Sequence, residues 1–143
     1  MINGIGHVAF RVSNLEAAKR FYCDILGFRH AFDMDREGKP WITYIYINNG
    51  QFIELFPDDS GEDLTNRGSY RHFQLEVDDI VQTITELEQR GLPPTGASPR
   101  RGRDGNLQYW ITDPDGNRIE LMQVEPDSLQ RQALDRLAAS ARS

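Results

Sequence analysis

His7-Val8-Ala9-Phe10-Arg11-Val12 and His72-Phe73-Gln74-Leu75-Glu76-Val77 follow one pattern written twice: a histidine first, then apolar residues at the second, fourth and sixth places. Alternation with period two is the mark of a strand with one buried face. Behind each copy come apolar residues at helical spacing, Leu15, Ala18, Phe21, Tyr22 and Ile25 in the first and Ile80, Ile84 and Leu87 in the second. Each helical pattern stops at a glycine, Gly27 or Gly91, where a C′ residue belongs. Each copy then closes on the same triplet, Ile53-Glu54-Leu55 and Ile119-Glu120-Leu121. Glu54 follows His7 by 47 positions and Glu120 follows His72 by 48, an agreement that marks a duplicated module.

The predicted fold is therefore α+β, two tandem βαβββ modules forming a curved sheet. Module one spans about 5–56, module two about 71–124, and 57–70 links them within one domain of 143 residues. The first module holds a strand at 6–12, a helix over 15–26 with Asn14 as N-cap, and strands at 28–35, 41–47 and 51–56. Asn48-Asn49-Gly50 reads as the hairpin turn between the last two. The second holds strands at 71–77, 95–99, 106–112 and 117–123 and a helix over 80–90, with Asp113-Pro114-Asp115-Gly116 as its turn. Residues 96–105 read as a loop. In the tail, 126–143, Leu129, Ala133, Leu137 and Ala141 recur every four residues and predict a short amphipathic helix.

Composition narrows the function classes. A net charge of −6, with acidic and basic residues interspersed, argues against nucleic acid or an anionic membrane as the main partner. There is no apolar run long enough to span a bilayer, and Met1-Ile2-Asn3-Gly4 has none of the regions of a signal peptide. One cysteine, Cys23, rules out an intramolecular disulfide framework, and a cytoplasmic protein is expected.

Strand alternation also sorts the polar residues. With Val8, Phe10 and Val12 turned to the helix, His7, Ala9 and Arg11 share the other face; likewise His72, Gln74 and Glu76 oppose Phe73, Leu75 and Val77. Glu54 opposes Ile53 and Leu55, and Glu120 opposes Ile119 and Leu121. Two imidazoles and two carboxylates, His7, Glu54, His72 and Glu120, are thus offered to one concave surface. Such a donor set balances a divalent cation and suits Zn, Ni, Co, Mn or Fe(II) better than Ca or Mg. The competing reading is structural: strand-start histidines, and glutamates on the solvent side of an amphipathic sheet. Against it, two of the three histidines occupy equivalent repeat positions, and both triplets carry Glu.

With His7, Phe21-Tyr22, Leu26-Gly27-Phe28 and Asp113-Pro114-Asp115-Gly116-Asn117-Arg118-Ile119-Glu120-Leu121, the chain resembles the vicinal oxygen chelate superfamily over residues 5–124. That superfamily includes glyoxalase I, bleomycin-resistance proteins, epimerases, fosfomycin-modifying enzymes and extradiol dioxygenases. The order His7, Glu54, His72, Glu120 is most similar to glyoxalase I; epimerases usually have Gln in place of Glu54, and dioxygenases use two His and one Glu. Where small bacterial glyoxalases carry Asn four residues past the first Glu, this chain has Asp58. The resemblance implies a homodimer in which His7 and Glu54 of one subunit complete the site with His72 and Glu120 of the other. It also implies one divalent metal per site and a small-molecule substrate such as a glutathione hemithioacetal.

The expected activity is that of a metal-dependent lyase or isomerase: proton transfer next to a carbonyl through a metal-stabilised enediolate, with Glu120 or Glu54 as the base. Arg11 is a candidate for a substrate carboxylate, and otherwise a salt bridge with a partner such as Glu76. Arg100, Arg101 and Arg103 either close over an anionic substrate or form a solvated basic loop. Phe52, Phe56, Trp110 and Met122 either line an apolar part of the pocket or simply pack. The alternatives are a metal-free, ligand-sequestering protein of the bleomycin-resistance kind, and an epimerase or dioxygenase.

Overall fold

The computed structural model describes residues 1, 4–65 and 68–141. Residues 2–3, 66–67 and 142–143, which fall in the N-terminal stretch, the linker and the end of the tail, lie outside the described residues. The chain folds as α+β with two βαβββ-like modules, each built on a four-stranded mixed sheet. Two compact units result: residues 1–70 together with 113–117, and residues 71–112 together with 118–143. No helix among the described residues is long and apolar enough to cross a membrane.

In the first unit β1 (His7–Val12) is followed by α1 (Leu15–Lys19), then β2 (Arg29–Arg36), β3 (Lys39–Tyr46) and β4 (Phe52–Pro57). The sheet order is β1-β4-β3-β2, with β1 and β4 parallel and the other pairs antiparallel. Asn14 caps α1 by accepting from Ala17 N at 2.9 Å. The helix predicted over 15–26 does not stay α-helical. From Arg20 to Ile25 it widens into a π-helix, where Leu26 N donates to Phe21 O at 2.9 Å. Two adjacent aromatics, Phe21 and Tyr22, are both buried within this segment. The Asn49–Gly50 turn has both φ angles positive, 47° and 76°, with Gln51 N donating to Asn48 O at 2.7 Å, the type I′ geometry that a twisted hairpin favours. Val12, Ile45, Ile53 and Leu55 form the core face of this sheet, each at most 1% exposed.

The turn 113–117 belongs to this unit and is built around buried Asp113. Its carboxylate accepts from the backbone N–H of Asp115 (3.0 Å) and Asn117 (2.8 Å), from Asn117 Nδ2 (2.8 Å) and from the Tyr22 hydroxyl (2.8 Å). Asp115 in turn accepts from the Ser13 hydroxyl at 2.5 Å.

The second unit repeats the plan: β5 (Phe73–Glu76), α2 (Ile80–Gln89), β6 (Arg100–Arg101), β7 (Leu107–Thr112) and β8 (Arg118–Gln123), in the order β5-β8-β7-β6. The strand predicted at 95–99 is displaced to Arg100–Arg101; within 95–99, Pro99 cannot donate to a ladder and Gly96 weakens a strand. Part of the predicted loop 96–105 is therefore paired backbone, and its end is tied down. Gly102 N donates to Asn106 O at 2.8 Å, and Arg101 donates to Gly105 O at 2.6 Å. Asn106 is fully buried; its amide reaches Asp104 and Gln130, and its carbonyl accepts from Glu125 N. The tail helix α3 (Leu129–Ser140) starts on this network, with Ser128 as its buried N-cap.

Candidate metal centre

In the first unit β1 and β4 run parallel with His7 opposite Phe52 and Ala9 opposite Glu54, so His7 and Glu54 sit diagonally on one face. His7 Nε2 lies 3.0 Å from Glu54 Oε2. Ile53 and Leu55 are fully buried on the other face and Glu54 is itself only 6% exposed, while about half of the His7 side chain stays open. Glu54 is therefore not the solvent-side carboxylate of an amphipathic sheet. Across the β3–β4 ladder Tyr44 is its partner, and hydrogen bonding to the Glu54 carboxylate is the main reason the Tyr44 phenol is held above its ordinary pKa. The Tyr44 ring meets His7 edge-on at 6.2 Å and stacks on Phe32 at 4.2 Å.

The second unit makes the same pair. His72 directly precedes β5, and Gln74 is the Cα partner of Glu120 across the parallel β5–β8 ladder. His72 Nε2 lies 3.1 Å from Glu120 Oε2, and Glu120 is 7% exposed between buried Ile119 and Leu121. Trp110 stands opposite Glu120, where Tyr44 stands opposite Glu54 in the first unit. Its ring is edge-on to His72 at 4.7 Å, its Nε1 donates to Gln108 Oε1 at 3.2 Å, and Arg118 lies over its face at 4.2 Å.

The donor chemistry of both pairs fits a transition metal. An imidazole nitrogen and a carboxylate oxygen bound at roughly 2.1 Å, at about a right angle, stand about 3 Å apart. That matches the 3.0 and 3.1 Å measured in the two units. Each pair supplies only two ligands. Among the described residues no group of three or more His, Cys, Asp or Glu side chains is gathered around a common point. The third histidine, His30, pairs instead with Asp33 at 3.0 Å. His30 and the Thr43 hydroxyl together hold the Asp33 carboxyl below its ordinary range.

The basic residues divide. Arg11 meets Asp58, and Glu62 at 2.7 Å, rather than Glu76. Asp58 is held below the usual carboxylate range, first by Ser60 and then by Arg11. Arg101 turns to Gly105 O and to Glu125 at 3.5 Å. Arg100 and Arg103 are exposed, without an ion pair among the described residues. Phe52 contacts Tyr44 and Tyr46, and Met122 Sδ accepts from Asn106. Tyr44 and Gln74 were not singled out by motif; comparing the two modules position by position, Ala9 against Gln74 and Tyr44 against Trp110, is the signal that exposes them.

Residues 4–121 match the Glyoxalase/Bleomycin resistance protein/Dioxygenase superfamily. The chain belongs to this superfamily. Among its relatives, the metallothiol transferase FosB of Staphylococcus epidermidis is 32% identical over 123 residues, covering 84% of this chain and 81% of that protein. The lactoylglutathione lyase of Haemophilus influenzae is 28% identical over 122 residues, covering 82% of this chain and 90% of that one. Among solved structures, the glyoxalase family protein from Enterococcus faecalis superposes with a TM-score of 0.71 at 27% identity, covering 83% of this chain and 96% of that one. Superfamily membership alone leaves the reaction open, because one fold carries many chemistries.

Proposed function

We propose that this superfamily member is a metal-dependent lyase or isomerase of the glyoxalase I type, moving a proton next to a carbonyl of a small thiol adduct. The observation that carries the reading is the pair made twice, His7–Glu54 at 3.0 Å and His72–Glu120 at 3.1 Å, each with a buried carboxylate. A structural role would not require both modules to repeat one donor geometry. The names of the two relatives, a lactoylglutathione lyase and a metallothiol transferase, support a thiol-bearing substrate.

A divalent ion (Ni, Zn, Co, Mn or Fe(II)) held by His7, Glu54, His72 and Glu120 would supply Lewis acidity toward neighbouring oxygens of the substrate. The proton is moved by the protein. Glu120 takes it from the carbon that bears sulfur and returns it to the adjacent carbonyl carbon while the hydroxyl proton passes to the former carbonyl oxygen, so a hemithioacetal becomes a hydroxy thioester with no atom gained or lost. Glu120 is assigned as the base: its ladder neighbour Trp110 directs its N–H to Gln108, whereas Tyr44 faces Glu54 across the β3–β4 ladder. Arg100 and Arg103 are free to meet an anionic substrate; Arg11 must first leave Asp58 and Glu62.

The test is to strip the protein of metal, reload it with each of the five ions, and assay the methylglyoxal–glutathione hemithioacetal. Turnover is expected with at least one metal, reduced about 10²- to 10⁴-fold in Glu120→Gln. Metal uptake without turnover would discard glutathione and direct the search to another thiol. Neither uptake nor turnover would sink the metalloenzyme and favour a metal-free binding protein.

A further inference from the structure

We propose that Gln74 is a substrate-binding residue whose side-chain amide donates to an oxygen of the ligand held beside His72 and Glu120. Gln74 Nε2 is buried and has no hydrogen-bond partner among the described residues. A desolvated donor without an acceptor is rare in native interiors and calls for an explanation. This one stands at the candidate metal centre: Gln74 is the Cα partner of Glu120, two residues along from His72 and on its face.

The fold does not need the amide. In the first module, with the same strand order, the residue opposite Glu54 is Ala9. Gln74 therefore adds to one half-site a function that the other lacks, whereas both halves have the histidine and the glutamate. The chemistry of the missing partner follows from the atom. An amide nitrogen only donates, so the partner is an acceptor: a carbonyl, carboxylate or alkoxide oxygen. A donor fixed in a water-poor place beside a base suits an oxygen that gains negative charge as a neighbouring C–H bond breaks. Within the site, then, the imidazoles and carboxylates hold the cation while Gln74 orients the substrate through one of its oxygens.

This assignment rests on the proposed metalloenzyme reading, and the experiment separates the two. Wild type, Gln74→Leu and Gln74→Ala are stripped and loaded with Zn. Metal affinity is then measured by calorimetry, followed by the affinity of the loaded proteins for acetohydroxamate, a small probe with two adjacent oxygens. Zn affinity is expected to stay within about threefold in both variants, while hydroxamate binding weakens about 10- to 100-fold. Metal-free Gln74→Leu should melt no lower than wild type, since it removes an unpaired donor; a structural amide would behave the opposite way. Gln74→Ala reproduces the residue that the first module already carries at this register, and so guards against a misfolded leucine variant. Equal hydroxamate affinity in all three loaded proteins, or none in loaded wild type, overturns the role of Gln74 and leaves the metal centre standing. Failure of wild type to take up Zn overturns both.

Discussion

At the scale of single residues, the two glutamates are distinguished by their neighbours. Glu54 and Glu120 have near-equal burial and near-equal distances to their histidines, yet Tyr44 faces one and Trp110 the other. On the proposed metalloenzyme reading Tyr44 is placed to orient the Glu54 carboxylate, and in metal sites loss of such a partner typically lowers metal affinity about 10- to 100-fold. Tyr44→Phe is expected to weaken metal binding toward the lower end of that range. Trp110→Phe keeps a ring beside His72 and should leave affinity within a few fold. Chelator competition on both variants checks this, and equal losses would show that Tyr44 does not orient Glu54.

At the scale of elements, the π-helical segment and the turn 113–117 meet through one hydrogen bond, Tyr22 to Asp113 at 2.8 Å. Burial first, and the Asp113 carboxylate second, push the Tyr22 phenol well above its ordinary value of 10.0. A raised folded-state pKa means that this contribution is fully present below pH 10 and is lost as pH rises toward the folded value. Tyr22 should therefore ionise only as the protein unfolds in alkali, after exposed tyrosines have titrated, which tyrosinate absorbance followed alongside circular dichroism will show. Tyr22→Phe deprives buried Asp113 of a donor and should cost about 1.5–3 kcal/mol in urea unfolding at neutral pH, while flattening the alkaline fall in stability. The helix period was legible in the sequence; the widened turn was not, because the apolar spacing over 15–26 does not distinguish an α-helix from one that takes up an extra residue.

At the scale of the whole molecule, the proposed centre needs four ligands and each unit makes two. If the protein is a homodimer with each site shared between subunits, His7→Ala and His72→Ala, each inactive alone, will complement. Their mixed dimer carries one site with both lesions and one with none. Statistical exchange should thus restore roughly a quarter of wild-type metal sites and activity. No recovery after full exchange, verified by mass spectrometry of the mixed dimer, would place all four ligands within one chain or dismiss the shared centre.

Much of this protein was written in its own repetition. The duplicated phrase, the period-two alternation and the twin Ile-Glu-Leu triplets determined the module plan and put His7 with Glu54 and His72 with Glu120 on common faces, since side-chain direction along a strand is a local property. Tertiary structure alone decided what depends on register between distant strands. It buried both carboxylates, set the 3.0 and 3.1 Å pairings, and brought Tyr44 opposite Glu54 and Gln74 opposite Glu120. It also joined Arg11 to Asp58 and Glu62, and tied the end of the loop to the start of α3 through Asn106. Apart from the Tyr44–Glu54 pairing within one hairpin, those contacts join residues from 19 to 51 positions apart, and local periodicity carries no information about which partner a side chain meets across such a separation.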